Sequence, residues 1–422
     1  MRTVRLGFVF VALAIAVGLV FLPANAVGPS LPVTIQVGPK ITEAKALLHP
    51  YQSQGLFLAP DGSLWLWGEP DINWPNARAV PQRLGTSNLW HDVAFSQNNV
   101  VGIRADRTLW GWGVSGRLPP DDTPTRALGR TLYRGSPDLP VRLSAEGGWK
   151  SVVSLVGPSF CALKSDGTLW TWGDNRYGQL GVGVGASSVV PRQLGTDSDW
   201  TQVTAGAIRG FAIKSDRTLW TWGGPEIEPI RRLGFFSDWV KFSAEAYCGF
   251  GVRSDGSLWG IGPNLTHFHG QPGLSRSNLF LCAQVAEGTV PVTGMTVLYL
   301  RTKAGELSVS GQRAEGLLAD GSTAGSGGGS RHPGASLPIP GISDCRGVWT
   351  GGYTTTALTG DGTLWLWGRH GGTNRESQPR QLRAMFRDFL RRWGIRLGPE
   401  PSTENWKVIP KPTPLLKLEF PN

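Results

Sequence analysis

The sequence predicts an all-β chain folded as a single seven-bladed β-propeller. Three observations predict it: a turn-and-tryptophan string that returns seven times, a spacing near 50 residues, and a composition suited to short strands and tight turns. Of 422 residues, 58 are Gly, 31 are Pro and 19 are Trp, while only 17% are charged. That mixture favours strands and turns over helices. A hydrophobic fraction of 40% suffices for a large core and excludes a wholly disordered chain.

The string reads DGSLWLWG from Asp61, DRTLWGWG from Asp106, DGTLWTWG from Asp166, DRTLWTWG from Asp216, DGSLWGIG from Asp255 and DGTLWLWG from Asp361. A degraded copy, AGELSVSG from Ala304, fills the double gap before Asp361. Asp61 and Asp361 lie 300 residues and six intervals apart, a mean period of 50. Asp-Gly predicts a two-residue hairpin turn with positive φ at both central residues. Alternating Leu, Trp and Thr follow it, as in a strand. Another apolar stretch precedes it, as in FAIKS from Phe211. A third strand starts upstream: Trp90, Trp200 and Trp239 precede their turn Asp by 16 residues and Trp149 by 17. A fourth fits after the closing Gly, and four strands in about 50 residues make one blade. Eleven of the 19 Trp, among them Trp67, Trp112, Trp172, Trp222, Trp259 and Trp367, fall in this W-x-W register and are expected in the core.

The third copy is the most complete. From Leu163 it reads LKSDGTLWTWGDNRYGQLGVG, with Pro191 following. It resembles the regulator of chromosome condensation repeat, in which a strand ending in Trp-Gly runs into N-x-x-G-Q-L-G. Asn175, Gly178, Gln179, Leu180 and Gly181 carry that tail here, and the other copies lack it. The Gly-His and Trp-Asp of WD40 repeats are absent, and the kelch arrangement does not match. The resemblance spans roughly residues 45–382 and implies a ring of seven blades closed on itself. The namesake of the family catalyses guanine-nucleotide exchange on a small GTPase and binds chromatin, both inside the cell. The wider family includes inhibitors of extracellular enzymes.

Four regions are expected. Residues 1–26 read as a signal peptide: Arg2 and Arg5, an apolar run from Leu6 to Leu22, then Ala24-Asn25-Ala26. An uncleaved N-terminal anchor is the alternative. Either places the body outside the cytoplasm, in the cell envelope or beyond. Residues 27–44 and 383–422 hold strand-like segments suited to closing the ring around the 45–382 array. A short basic helix is expected after Arg380. Leu382, Phe386, Phe389, Leu390 and Trp393 recur at helical spacing, while Arg383, Arg387 and Arg391, with Arg392, form a basic face. It reads either as a helix packed on the ring with solvated arginines or as a surface for anionic lipid or an acidic partner.

No catalytic, cofactor or metal set is predicted. The repeated Asp residues belong to turns, one per blade, too dispersed for paired acid–base work. His267 and His269 form an H-x-H without an evident third ligand and are kept as partner-binding candidates. Cys161, Cys248, Cys282 and Cys345 permit disulfides in an exported chain, yet suit buried free thiols equally. The net charge of +10 suits anionic partners, and export argues against nucleic acid. The long segment from Val114 to Leu139 and the Gly/Ser-rich one from Ala319 to Gly334 read as loops, where rigid folds place binding. The leading expectation is therefore a monomeric, non-enzymatic, exported scaffold for an unknown protein partner. The alternatives are an inhibitor of an extracellular enzyme, a binder of anionic glycan or lipid, and a propeller hydrolase or lyase.

Overall fold

The computed structural model describes residues 33–36, 40, 42–48, 55–68, 81–96, 99–113, 138–155, 158–183, 187–206, 209–224, 227–245, 248–262, 279–294, 297–312, 318–319, 330–331, 336–351, 354–370 and 407–419. Seven sheets form, each built on a four-strand antiparallel blade in sequence order, with a fifth strand added in the sixth and seventh. The degraded copy at Ala304 builds the sixth, around the strand Leu307–Gln312. The expected helix after Arg380 lies outside the described residues.

The first strands are Lys45–Leu48, Trp90–Ser96, Trp149–Leu155, Trp200–Ala205, Trp239–Glu245, Val290–Thr293 and Cys345–Gly351. Each touches the first strand of both neighbours, and the seventh touches the first, so these edges surround the ring axis. Their backbones are stitched by side chains of adjacent blades. Ser96 Oγ donates to the Leu155 carbonyl at 2.9 Å, Gln202 Nε2 to that of Val240 at 3.0 Å, and Thr350 Oγ1 to that of Thr293 at 2.8 Å.

The turns differ from the sequence expectation. Positive φ occurs only at the residue after the Asp position: Gly62, Arg107, Gly167, Arg217, Gly256, Gly305 and Gly362. In blade 3 the Gly167 N–H donates to the Lys164 carbonyl at 3.1 Å, and the Lys164 N–H to that of Thr168 at 3.0 Å. This is a three-residue loop in which an ordinary turn is followed by one left-handed residue. Because only one residue is left-handed, Asp-Arg can replace Asp-Gly in blades 2 and 4. The left-handed residue turns its carbonyl toward the next blade. Gly62, Arg107, Gly167, Arg217 and Gly305 accept from the N–H of Trp90, Trp149, Trp200, Trp239 and Cys345 at 2.8–3.2 Å.

The tryptophans divide by position. Trp67, Trp112, Trp172, Trp222 and Trp367, the second of each W-x-W, are fully buried, as are Trp90, Trp149 and Trp239. The first of each pair (Trp65, Trp110, Trp170, Trp220 and Trp365) is only half-buried, and Trp259 occupies that same position. In blade 5 the buried place falls to Ile261. All four cysteines are buried and free, so the disulfide alternative is not realised.

The tail of blade 3 packs on blade 4. Asn175 Oδ1 accepts from the Leu180 N–H at 3.1 Å, its amide nitrogen donates to the Gly183 carbonyl at 3.1 Å, and the Gln179 carbonyl accepts from Trp222 Nε1 at 3.0 Å. Gly181 has φ +76, and a Cβ there would sit 2.7 Å from the Trp222 ring.

The seventh blade joins both ends of the described chain. Its fourth strand is Lys407–Glu419, and Val33–Gln36 pairs in parallel with Leu416–Glu419 as a fifth. The added strand begins beyond Pro410, Pro412 and Pro414, which have no N–H to offer a neighbour.

Two outcomes are expected. Arg217→Gly removes a left-handed, exposed non-glycine residue, and should raise stability by about 1 kcal/mol in chemical denaturation. Gly181→Ala should lower it by about 1–3 kcal/mol, because the methyl meets both an unfavourable φ and the Trp222 ring. A variant as stable as the parent would show that the tail yields freely.

Candidate functional site

The antiparallel blades sort their connections onto two faces. The Asp turns and the links from each fourth strand to the next first strand share one face, as the bonds from Trp90, Trp149, Trp200 and Trp239 to those turns require. The connections from third to fourth strands open on the opposite, loop face.

On the turn face each Asp is spent as an acceptor. Asp166 Oδ1 takes the Thr168 N–H at 3.0 Å and its hydroxyl at 2.7 Å, and that hydroxyl oxygen accepts from Trp170 Nε1 at 2.8 Å. The same relay joins Asp61–Ser63–Trp65, Asp106–Thr108–Trp110, Asp216–Thr218–Trp220 and Asp255–Ser257–Trp259. In blade 7 Asp361 accepts from Thr359 and Thr363, and Trp365 donates to Thr359. Hydrogen bonds from the Thr or Ser hydroxyl hold the carboxyls of Asp106, Asp166, Asp216, Asp255 and Asp361 below the usual range. A carboxylate so committed is a poor general acid at neutral pH.

Beside three of these turns a cation covers an indole. Arg104 lies 4.1 Å from the Trp110 ring centre, Lys164 4.5 Å from Trp170, and Lys214 4.8 Å from both Trp200 and Trp220. In blade 5 Arg253 covers Phe236 at 3.9 Å. Lys164 is paired with Glu146, Lys214 with Asp197 and Asp199, and Arg253 with Asp238. Burial pulls the Lys214 pKa down, but its hydrogen bonds to Asp197 and Asp199 outweigh that and raise it. These cations cap the half-buried rings. Sequence patterning missed them; the signal was the basic residue two positions before Asp106, Asp166, Asp216 and Asp255.

On the loop face, four connections between third and fourth strands are long: from Gly113 to Asp138, from Gly262 to Leu279, from Gln312 to Ser330 and from His370 to Lys407. The described strand ends that flank them all lie on the loop face. His267, His269, Arg383, Arg387, Arg391, Arg392 and most of the two expected binding loops lie within them, outside the described residues. Beside them stands the blade 3 tail, with Tyr177 and Val182 about half exposed. Arg209 and Arg231 of blade 4 converge on Glu228 at 2.8 and 3.0 Å. Among the described residues no cluster of His, Cys, Asp and Glu could hold a metal ion, and no helix is long and apolar enough to cross a membrane. Burial pushes the thiols of Cys248 and Cys282 up to about 12 and that of Cys345 to about 11, which leaves them poor nucleophiles.

Residues 166–212, from the blade 3 turn into the second strand of blade 4, match the family model for the regulator of chromosome condensation (RCC1) repeat. The chain resembles that repeat family. The Ultraviolet-B receptor UVR8 of Arabidopsis thaliana is 32% identical over 107 residues, which are 25% of this chain and 20% of the receptor. The match thus spans about one fifth of that relative's length. Yeast RCC1 (Prp20), solved bound to Kap60, aligns with a TM-score of 0.58 at 15% identity over 87% of this chain and 85% of the other. Human WBSCR16 aligns with a TM-score of 0.54 at 18% identity, over 68% and 79%. Both structures share the fold of this chain.

The relay carries a pH dependence. A carboxyl whose folded pKa is depressed contributes its full stability above its unfolded pKa, near ~4, and loses it as pH falls through the folded value. Asp166→Asn should therefore lower the melting temperature at pH 7, with the gap to the parent shrinking below about pH 4. A gap constant down to strong acid would rule out the charged form as the contributor.

Proposed function

We propose that this chain is an exported, non-enzymatic ring that binds a protein partner through its loop face. The observation that carries the reading is the sorting of connections: the described strand ends that flank the four long, non-repeating connections all lie on one side of the ring. Loops on rigid scaffolds are where binding concentrates. RCC1-like propellers are often interaction scaffolds, and one relative by fold was solved in complex with Kap60. The commitment of the turn carboxylates to Thr and Ser supports a role without catalysis. Export rests on the N-terminal pattern of Arg2, Arg5, the apolar run and Ala24-Asn25-Ala26.

Capture from the native cell envelope tests this, with the 27–422 chain as bait beside a version whose four long connections are replaced by short turns. The shortened ring should keep its melting temperature and lose a partner protein that the parent retains. Recovery of glycan or lipid alone, or a partner indifferent to all four replacements, would overturn the reading.

A further inference from the structure

One level of the ring carries positive charge that nothing in the described chain neutralises. The residue before each turn's first position is a buried aliphatic in six blades: Leu58, Ile103, Leu163, Ile213, Val252 and Leu358. In blade 6 it is Arg301. The first-strand residue registered opposite this position sits at the same height in each blade, among them Lys45, Asp92, Gln202, Lys241, Val290 and Gly347.

On one side of the axis this level is balanced. Lys45 Nζ lies 2.7 Å from Asp92 Oδ1, and Asp92 Oδ2 accepts the Val152 N–H of blade 3 at 2.8 Å. Gln202, in the equivalent place, bonds to the backbone of blade 5. Lys241 occupies that place in blade 5 and makes neither kind of contact. Arg301 has one weak hydrogen bond, from Nη1 to the Cys345 carbonyl of blade 7 at 3.5 Å, and no carboxylate. Nearby acids are engaged elsewhere: Asp238 and Asp255 with Arg253, and Asp344 with Arg346. Between the two cations stands apolar Val290, and opposite Arg301 the seventh blade has only Gly347. Burial, and then the charge of Arg301, push the Lys241 ammonium below its ordinary pKa. Lys241 is exposed and Arg301 half-buried, on neighbouring blades at this one level.

A half-buried guanidinium without a counter-charge is costly, and an aliphatic at 301 would remove the cost, as in six sister blades. We propose that Lys241 and Arg301 form an oxyanion site beside the ring axis, spanning blades 5 to 7, which takes a phosphate group. The ammonium offers three donors and the guanidinium its remaining N–H groups, a pairing suited to a dianion. The phosphate is either free or the headgroup of an anionic lipid. The site goes beyond the loop-face reading and does not depend on it, since Lys241 lies on the first strand of blade 5 and Arg301 on the second strand of blade 6.

Calorimetric titration of the full chain with inorganic phosphate, at ionic strength fixed by chloride, tests it. Parallel titrations use vesicles of phosphatidic acid in phosphatidylcholine and of phosphatidylcholine alone. Saturable binding of phosphate or of the acidic vesicles is expected. Arg301→Leu and Lys241→Gln, which copy sister blades and should keep the parent melting temperature, should each weaken it at least about tenfold. Lys241→Arg should retain it. Binding of acidic vesicles alone, with the same loss in both variants, assigns the lipid source. Absence of saturable binding, or binding equal in parent and both variants, overturns the site.

Discussion

A backbone hydrogen bond between blades sets the geometry of this ring. The carbonyl of the left-handed turn residue in one blade receives the first N–H of the next blade's inner strand, repeatedly around the axis. Only a positive φ turns that carbonyl outward, so the turn's local conformation and the stacking of blades are one constraint. The turn Asp serves it by gathering the following N–H and hydroxyl, and the hydroxyl in turn holds the first indole of the W-x-W pair. The second indole can then be buried fully between blades. Loss of the whole set in blade 6 is tolerated because Gly305 preserves the left-handed residue and its bond to Cys345.

The same economy leaves little reactive chemistry on the turn face. Its carboxylates are acceptors for Thr and Ser, and the ring-capping cations Lys164, Lys214 and Arg253 are paired with acids. What repeats is structural. The opposite face is released from these demands, because the link from third to fourth strand lies away from the turn carbonyls and can vary in length; the blade 3 tail, held to blade 4 by Gln179 and Trp222, shows that such a link can also clasp a neighbour. The division follows from antiparallel order alone.

The seven copies, their period and the strands of each blade were legible in the sequence, since Asp, Leu and Trp recur where the hairpin needs them. Even Ala304 could be placed, from spacing and one Gly. The turn type was not legible: Asp-Gly fits both a two-residue turn and the longer loop observed, and only Arg107 and Arg217 hinted that one left-handed residue suffices. The caps over Trp110, Trp170 and Trp220 were missed because a lone Arg or Lys before a turn reads as a solvated charge. Ring closure was half legible. Strand propensity marked both terminal segments, but pairing between Val33 and Leu416 is a matter of register across nearly the whole chain. Of the candidate site residues, the arginines after Arg380 and the two histidines lie outside the described residues, while Lys241 and Arg301 gained meaning only from alignment in space.

The fifth strand of blade 7 brings the chain into the ring at its perimeter, on neither face. A pull applied through Val33 would load a four-residue parallel ladder in shear, against a thirteen-residue strand paired along its other edge with Thr363–His370. That strand locks the last blade, and the short ladder outside it is the piece that would slip first. Under tension the molecule would lose its edge strand while the seven blades stayed closed, with both faces open to their surroundings.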